Sequence, residues 1–181
     1  LDKKFDVIEC GGVLHHMHDP IAGWRVLCDI LKDDGYMLIA LYSEIGRRDI
    51  VAAREFIQKE GYKNDADGIR SCRKDILSLE DSNIVKRVAR HGDFYTTSAC
   101  RDLIFHIQEH RFTIETLKQA FDTLNLEFLG FKLDMQLQEE MYNAAYPDDV
   151  MRTNLDNWQK FEEDNPDFFM AMYKFWVRKK R

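Results

Sequence analysis

The sequence predicts an α/β fold, and three observations near its start carry the prediction. Residues 5–10 are predicted to form a buried strand, and residues 36–41 are an almost continuous apolar run typical of a second one. Between them, residues 19–31 carry apolar side chains at the three- and four-residue spacing of a helix. A strand, a helix and a strand in this order make one βαβ unit, in which the two strands are parallel.

The residues between these elements are those that turns and helix ends require. Gly11 and Gly12 let the chain turn sharply after the first strand. Asp19 can cap the helix, and Pro20 suits its first turn because no amide donor is needed there. Residues 33–35, Asp-Asp-Gly, return the chain into the second strand. We expect that second strand to be central in the sheet and covered on both faces.

The rest of the chain is predicted to be rich in helices. Thr113 caps an amphipathic helix, after which residues 126–133 alternate like a strand. Residues 166–178 fit a helix and a strand almost equally, and we favour the helix. A loop-rich stretch is expected over 94–111. Further helices are predicted over residues 47–59, 69–79, 83–90, 135–145 and 155–163.

We expect residues 1–181 to form a single domain whose amino-terminal part is missing. Its parts are a βαβα core over 1–60, an insertion of helices and loops over 61–112, and a closing helix, strand and terminal segment over 113–181. The chain is long enough, and with 45% hydrophobic residues apolar enough, to bury a core.

Composition excludes several function classes. A formal net charge of −6 opposes general nucleic-acid binding, which requires concentrated positive charge. The four cysteines are widely spaced and form no CxxC pair, so we do not expect a disulfide framework. Free cysteines are typical of a reducing compartment, and we therefore expect a cytoplasmic location. No apolar run approaches the ~20 residues that cross a bilayer, so no membrane partner is expected.

Three sequence stretches carry a family resemblance. The segment from Phe5 to Ser43, with its Gly-Gly turn, its VLHHMHDP loop and its second strand, resembles the second half of a class I S-adenosylmethionine-dependent methyltransferase. The stretches ALYSEIGRR (40–48), IRSCR (69–73) and MYKFW (172–176) resemble a bacterial methyltransferase type often fused to tetratricopeptide repeats. The resemblance implies a partial, doubly wound Rossmann-like sheet, S-adenosylmethionine as cofactor, and a substrate-side position for the insertion over 61–112. It leaves the acceptor, a small molecule or a protein, undefined.

The resemblance also implies roles for the loop after the first strand. Cys10, Gly11 and Gly12 would contact the cofactor through their backbone, and His15 and His16 would face the cofactor or the substrate. In a doubly wound sheet, ligands bind at the carboxyl ends of the parallel strands, which is where this loop lies. Nearby histidines could instead bind a metal ion, but adjacent residues rarely point at one ion, so we expect no metal site.

A second group of polar residues lies in the aromatic-rich segment 93–112. It supplies His106 as a further catalytic candidate. The substrate-side candidates of this segment and of the region after the second strand are Tyr42, Arg47, Tyr95, Arg101, Glu109, His110 and Arg111. Buried polar networks of this kind often belong to functional pockets, although each residue could equally serve a structural ion pair.

The glycine-rich cofactor loop of the methyltransferase family is not found in this sequence. Only nine glycines occur, and none forms a GxGxG cluster after an apolar strand. Three interpretations remain open: a carboxyl-terminal, substrate-side portion of a longer enzyme, which we favour; an interaction module that completes its sheet with another chain; or an inactive remnant. A half sheet would expose residues 5–10 as an edge. We expect a homodimer through this edge, or poor solubility, unless a partner or a covering segment protects it.

Overall fold

One mixed four-stranded sheet organises the chain. The structure, a computed structural model, describes residues 3–105 and 109–180. The sheet order is β1-β2-β4-β3, with β1 parallel to β2 and with β4 antiparallel to both of its neighbours. The strands are β1 (Phe5–Gly11), β2 (Leu31–Tyr42), β3 (Leu126–Phe131) and β4 (Met172–Lys179).

Helices connect these strands. The predicted caps are present: the side chain of Asp19 accepts a hydrogen bond from the Ala22 amide, and Thr113 forms a capping box with Thr116. The α-helices of the described residues are α1 (Pro20–Ile30), α2 (Arg48–Glu60), α3 (Ala66–Ser78), α4 (Thr97–Ile104), α5 (Ile114–Thr123), α6 (Gln136–Ala145) and α7 (Leu155–Asp164).

The chain divides into two compact units. The sheet unit comprises Leu1–Gly46 and Glu109–Arg181, and the helical unit comprises Arg47–Gln108. The helical unit has its own apolar core, which includes Ile50, Ile69 and Phe94, each fully buried. All buried residues of this core belong to the helical unit. Across the part of the chain that the structure describes, no helix has the length and apolar character to cross a bilayer.

The core of the sheet unit lies on one face of the sheet. Met37, Ile39 and Leu41 of β2 are fully buried on this face, beneath Trp24 of α1 and Phe121 of α5. The ring of Trp24 contacts that of Phe121 edge-on, with centroids 5.9 Å apart. Strand residues alternate between faces, so one buried face fixes the register of the whole sheet.

The opposite face of the sheet is only partly covered, and two predictions about it were wrong. Along β2 the buried residues alternate with half-exposed or exposed ones, of which Tyr36 is 43% exposed, so the strand is not covered on both faces. Strand β1 is not buried either, because it lies at the edge of the sheet, where Val7 is 57% exposed. An edge strand has a partner on one side only.

The structure also corrects three local predictions. Residues 172–179 form strand β4 rather than a helix, because pairing between β2 and β3 buries every second side chain: Tyr173, Phe175 and Val177. The stretch predicted as a loop contains helix α4, capped by Thr96. Residues Ile84–Arg90 form 3-10 rather than α-helical turns.

Candidate functional site

The carboxyl ends of the parallel strands β1 and β2 lie side by side. Gly11 pairs with Ala40, two residues before the end of β2 at Tyr42. Gly12 adopts a positive φ of 73°, and a Cβ built on it would meet nothing within 4 Å. The backbone of this turn is therefore open to an approaching ligand, and glycine is favoured there because a side chain would strain it. Cys10 is half-buried, and burial raises the pKa of its thiol, so the thiol stays neutral.

Two histidines and a tyrosine form a cluster after this turn. A short 3-10 turn, Leu14–His16, places the fully buried His15 ring against Tyr42, with centroids 3.7 Å apart and planes 27° from parallel. His16 is exposed and meets the Tyr42 ring edge-on at 5.6 Å. Stacking therefore fixes His15 as part of the wall, while His16 is the histidine that a ligand can reach.

The segment that follows the helical unit closes one side of this cluster. The His110 amide donates to the His15 carbonyl at 2.8 Å, and the Phe112 amide donates to the Tyr42 carbonyl at 2.8 Å. Arg111 Nε donates to Glu44 Oε2 at 3.0 Å, and Arg111 Nη1 lies 3.8 Å from Glu109 Oε1. Two carboxylates thus compensate the Arg111 charge, which leaves it less available to an anionic substrate.

The remaining predicted site residues lie in or beside the helical unit. Arg47 is 3% exposed and occupies the cap position of α2, where its carbonyl accepts from the Val51 amide. The Tyr95 hydroxyl donates to the Ala89 carbonyl at 2.9 Å, and Arg101 Nε donates to Asn64 Oδ1 at 3.0 Å.

His106 lies outside the described residues. The predicted site residues that belong to the sheet unit are Cys10, Gly11, Gly12, His15, His16, Tyr42, Glu109, His110 and Arg111.

A buried carboxyl close to the end of β2 was missed by sequence reasoning. Glu162 of α7 is 3% exposed and accepts hydrogen bonds from Ser43 Oγ at 2.8 Å and from the Tyr173 hydroxyl at 2.7–2.8 Å. Ser43 Oγ in turn accepts from the Gly46 amide at 2.9 Å. Burial raises the pKa of Glu162, although the two hydroxyl donors oppose that shift. No sequence signal marks this glutamate. Glu162 and Glu163 are adjacent and chemically identical, and only the structure shows that the first is buried and the second exposed.

Two neighbouring cavities open on the sheet unit. One, of about 280 Å³, is bordered by Cys10, Gly11 and Gly12 on one side and by β4 on the other. The second, of about 520 Å³, lies beside α6 and the segment before β4. Among the residues that the structure describes, no cluster of three or more histidine, cysteine or acidic side chains is arranged to hold a metal ion.

Comparison with known proteins places the fold. The chain superimposes over 98% of its length on PKMT2 from Rickettsia typhi, with a TM-score of 0.73 and 15% sequence identity. It superimposes equally well on the same protein in complex with AdoHcy, with a TM-score of 0.70 and 14% identity. The predicted α/β fold class is confirmed: the chain has a mixed four-stranded sheet, about half of it is helical, and it shares this fold with PKMT2.

Comparison by sequence finds an uncharacterised Synechococcus protein, which is 31% identical in an alignment of 173 residues that covers 89% of this chain. No family model matches the chain. The chain spans 40% of the Synechococcus protein and 36% of PKMT2. The similarity thus concerns a part of each of these longer proteins.

Proposed function

We propose that this chain is the substrate-side portion of an S-adenosylmethionine-dependent methyltransferase. The observation that carries the proposal is the open Gly11–Gly12 turn at the carboxyl end of β1, beside the His15–Tyr42 stack. The same fold occurs in a protein whose structure contains AdoHcy, the molecule that S-adenosylmethionine becomes when it gives up its methyl group. We propose further that the chain belongs to the bacterial methyltransferase type that is often fused to tetratricopeptide repeats.

The residues at this edge fit such a cofactor. The backbone of Gly11 and Gly12 is accessible and borders a cavity, so it can approach the cofactor closely. When bound, the cofactor would supply an electrophilic methyl group on its sulfonium. The chain itself would position the acceptor and exclude water from one side with the stacked His15 and Tyr42. His16 is exposed beside them, and an imidazole there can accept the proton that the acceptor loses.

Calorimetric titration with S-adenosylmethionine tests the proposal. We expect the full-length gene product to bind it in the micromolar range and this 181-residue chain to bind it more weakly than about 1 mM. Tight binding by the isolated chain would overturn the claim that its cofactor site is incomplete. No binding by the full-length product would exclude the methyltransferase function.

A matched pair of glycine variants locates the cofactor. Gly12 and Gly61 have nearly identical positive φ values, 73° and 72°, and open space around a built Cβ. Gly12→Ala and Gly61→Ala therefore introduce the same backbone strain. Only Gly12→Ala should weaken S-adenosylmethionine binding by the full-length product, by about tenfold. Equal affinity in the two variants would remove the Gly12 turn from the cofactor site.

The interaction module is the second candidate, and the exposed edge strand favours it. Val7 on β1 and Val26 on α1 are 57% and 58% exposed. If copies of this chain pair through the β1 edge, Val7→Lys should dissociate the dimer in light scattering, whereas Val26→Lys should leave it intact. A monomeric wild-type chain would exclude this candidate.

A further inference from the structure

Apolar side chains that the fold leaves exposed gather around one cavity of the sheet unit, which we call the methionine cavity. Its volume is about 520 Å³, and the buried rings of Phe168 and Phe169 form part of its wall. Cavities of about 300–1,000 Å³ with mostly apolar walls are typical of small-molecule sites. Its exposed rim residues are Met135 (57%), Leu137 (61%), Met141 (39%) and Met170 (73%).

The backbone beside the rim is held in an unfavourable conformation. Ala171, next to Met170, has a φ of 67°, which is rare for a residue with a Cβ. Its carbonyl accepts a hydrogen bond from the Ser43 amide at 3.0 Å, and this contact ties the rim to the end of β2. Strain of this kind collects at ligand-binding segments, because the surrounding structure must hold the residue in place.

The methionine cavity adjoins the proposed cofactor turn. Lys132, Met172 and Lys174 line both this cavity and the smaller one at Gly11 and Gly12. A molecule whose body fills the methionine cavity can therefore extend a reacting atom past Met172 toward the glycine turn. A methyl acceptor needs this arrangement, since it must meet the cofactor's methyl group directly.

One lysine at the junction lies outside the ion pairs of the described residues. Lys174 Nζ is 2.6 Å from Asp134 Oδ2, so these two charges compensate each other. Lys132 is exposed and forms no ion pair within residues 3–105 and 109–180, although its charge also attracts Asp134. Two further carboxylates border the cavities, Asp167 the larger one and Glu9 the smaller one. Lys132 is therefore the group that an anionic part of the ligand would contact.

We propose that the methionine cavity binds the methyl acceptor, and that the acceptor is a small molecule with an apolar ring or chain and one anionic group. This proposal rests on the proposed function. Methionine side chains are flexible and polarisable, so the walls can adapt to ligands of different shape. Lys132 selects for the anion, and the glycine turn receives the end that is methylated.

Fluorescence titration with two dyes tests the binding chemistry. Anilinonaphthalene sulfonate is aromatic and anionic, and phenylnaphthylamine is its uncharged analogue. Each should bind the chain saturably at one site. The double variant Met135→Gln, Met170→Gln should weaken both by at least about tenfold. Met151→Gln, at a position that is 75% exposed but outside the cavity, should leave both unchanged.

A second matched pair of variants tests whether Lys132 selects an anionic ligand. Lys132→Gln should weaken the sulfonate dye by about fivefold and leave the neutral dye unchanged. Lys160→Gln, at an exposed position on α7, should affect neither dye. Dye affinities that do not distinguish the cavity variants from Met151→Gln and Lys160→Gln would overturn the proposal.

The full-length gene product separates this proposal from the proposed function. There the dyes should still bind, and saturating S-adenosylhomocysteine should change their affinity by less than about twofold. Loss of dye binding would mean that another part of the polypeptide covers the cavity, and displacement by S-adenosylhomocysteine would mean that the cofactor occupies it; either overturns the acceptor assignment alone. A product that binds the dyes but not S-adenosylhomocysteine overturns the methyltransferase function and the acceptor role with it.

Discussion

Replacing Glu162 should change both the stability of the sheet unit and its dependence on pH. Glu162→Leu removes the acceptor of two buried hydroxyl donors, Ser43 Oγ and Tyr173 Oη. A buried donor without an acceptor costs about 1–3 kcal/mol, so with two such donors the variant should lose about 2–6 kcal/mol of unfolding free energy. Glu162→Gln keeps an acceptor oxygen and removes the titrating group, and it should lose much less.

The pH dependence follows from the raised pKa of Glu162. The folded chain binds this proton more tightly than the unfolded chain, in which the pKa is near 4.5. The stabilisation is therefore complete below pH 4.5 and is lost as the pH rises through the folded pKa, with a slope of at most about 1.4 kcal/mol per pH unit. Relative to the wild type, Glu162→Gln should gain stability as the pH rises from 4.5 through the folded pKa.

Urea unfolding followed by tryptophan fluorescence measures the stability of the sheet unit, to which Glu162 belongs. All three tryptophans, Trp24, Trp158 and Trp176, belong to the sheet unit. Asp164→Asn is the control, because Asp164 is exposed on the same helix, and its pH profile should follow that of the wild type. The reasoning fails if Glu162→Gln and Asp164→Asn have the same pH profile, or if Glu162→Leu is as stable as the wild type.

Substitutions at two further contacts give the remaining predictions. Gly46→Ala should lower the unfolding free energy by about 1–3 kcal/mol, because its Cβ would overlap the Phe169 carbonyl oxygen. Gly11→Ala, with 3.6 Å to its nearest neighbour, should be neutral; equal melting temperatures of the two variants would refute the clash. Asp49 of the helical unit is the second contact. Burial raises the pKa of its carboxyl, but the hydrogen bond with His91 at 2.9 Å opposes burial and helps to hold that pKa below 3.8. The folded helical unit is therefore stabilised above that pH, and it loses the stabilisation as the pH falls through the folded pKa of Asp49. Asp49→Asn should cost about 1–2 kcal/mol near neutral pH and flatten the acid limb of unfolding by circular dichroism; an unchanged acid limb would contradict the pairing.

Local signals were sufficient for the βαβ unit. Asp19 and Pro20 start α1 where the sequence places it, and Gly11 and Gly12 end β1 with the predicted turn. These choices depend on the conformational preferences of a few adjacent residues. The grouping of Tyr42 with His15 follows from the same unit, since parallel neighbouring strands end at the same edge.

Strand β4 shows where local signals were insufficient. Its residues fit both periods, and the strand forms because β2 and β3 offer it two partners in the sheet. The predicted cover on both faces of β2 was wrong for a related reason, since burial depends on what packs against a strand and not on its own apolar content. The catalytic and binding roles assigned to the individual site residues stay predictions.

The sequence by itself determined the α/β class, the parallel pair of strands and the loop that carries the glycines and histidines, because each depends on neighbouring residues. Only the tertiary structure decided that Glu162 is buried between Ser43 and Tyr173, and that His15 is enclosed while His16 is exposed. The methionine cavity likewise exists only in the folded chain. Residues distant in sequence line it, and their approach depends on sheet pairing and packing rather than on any local pattern.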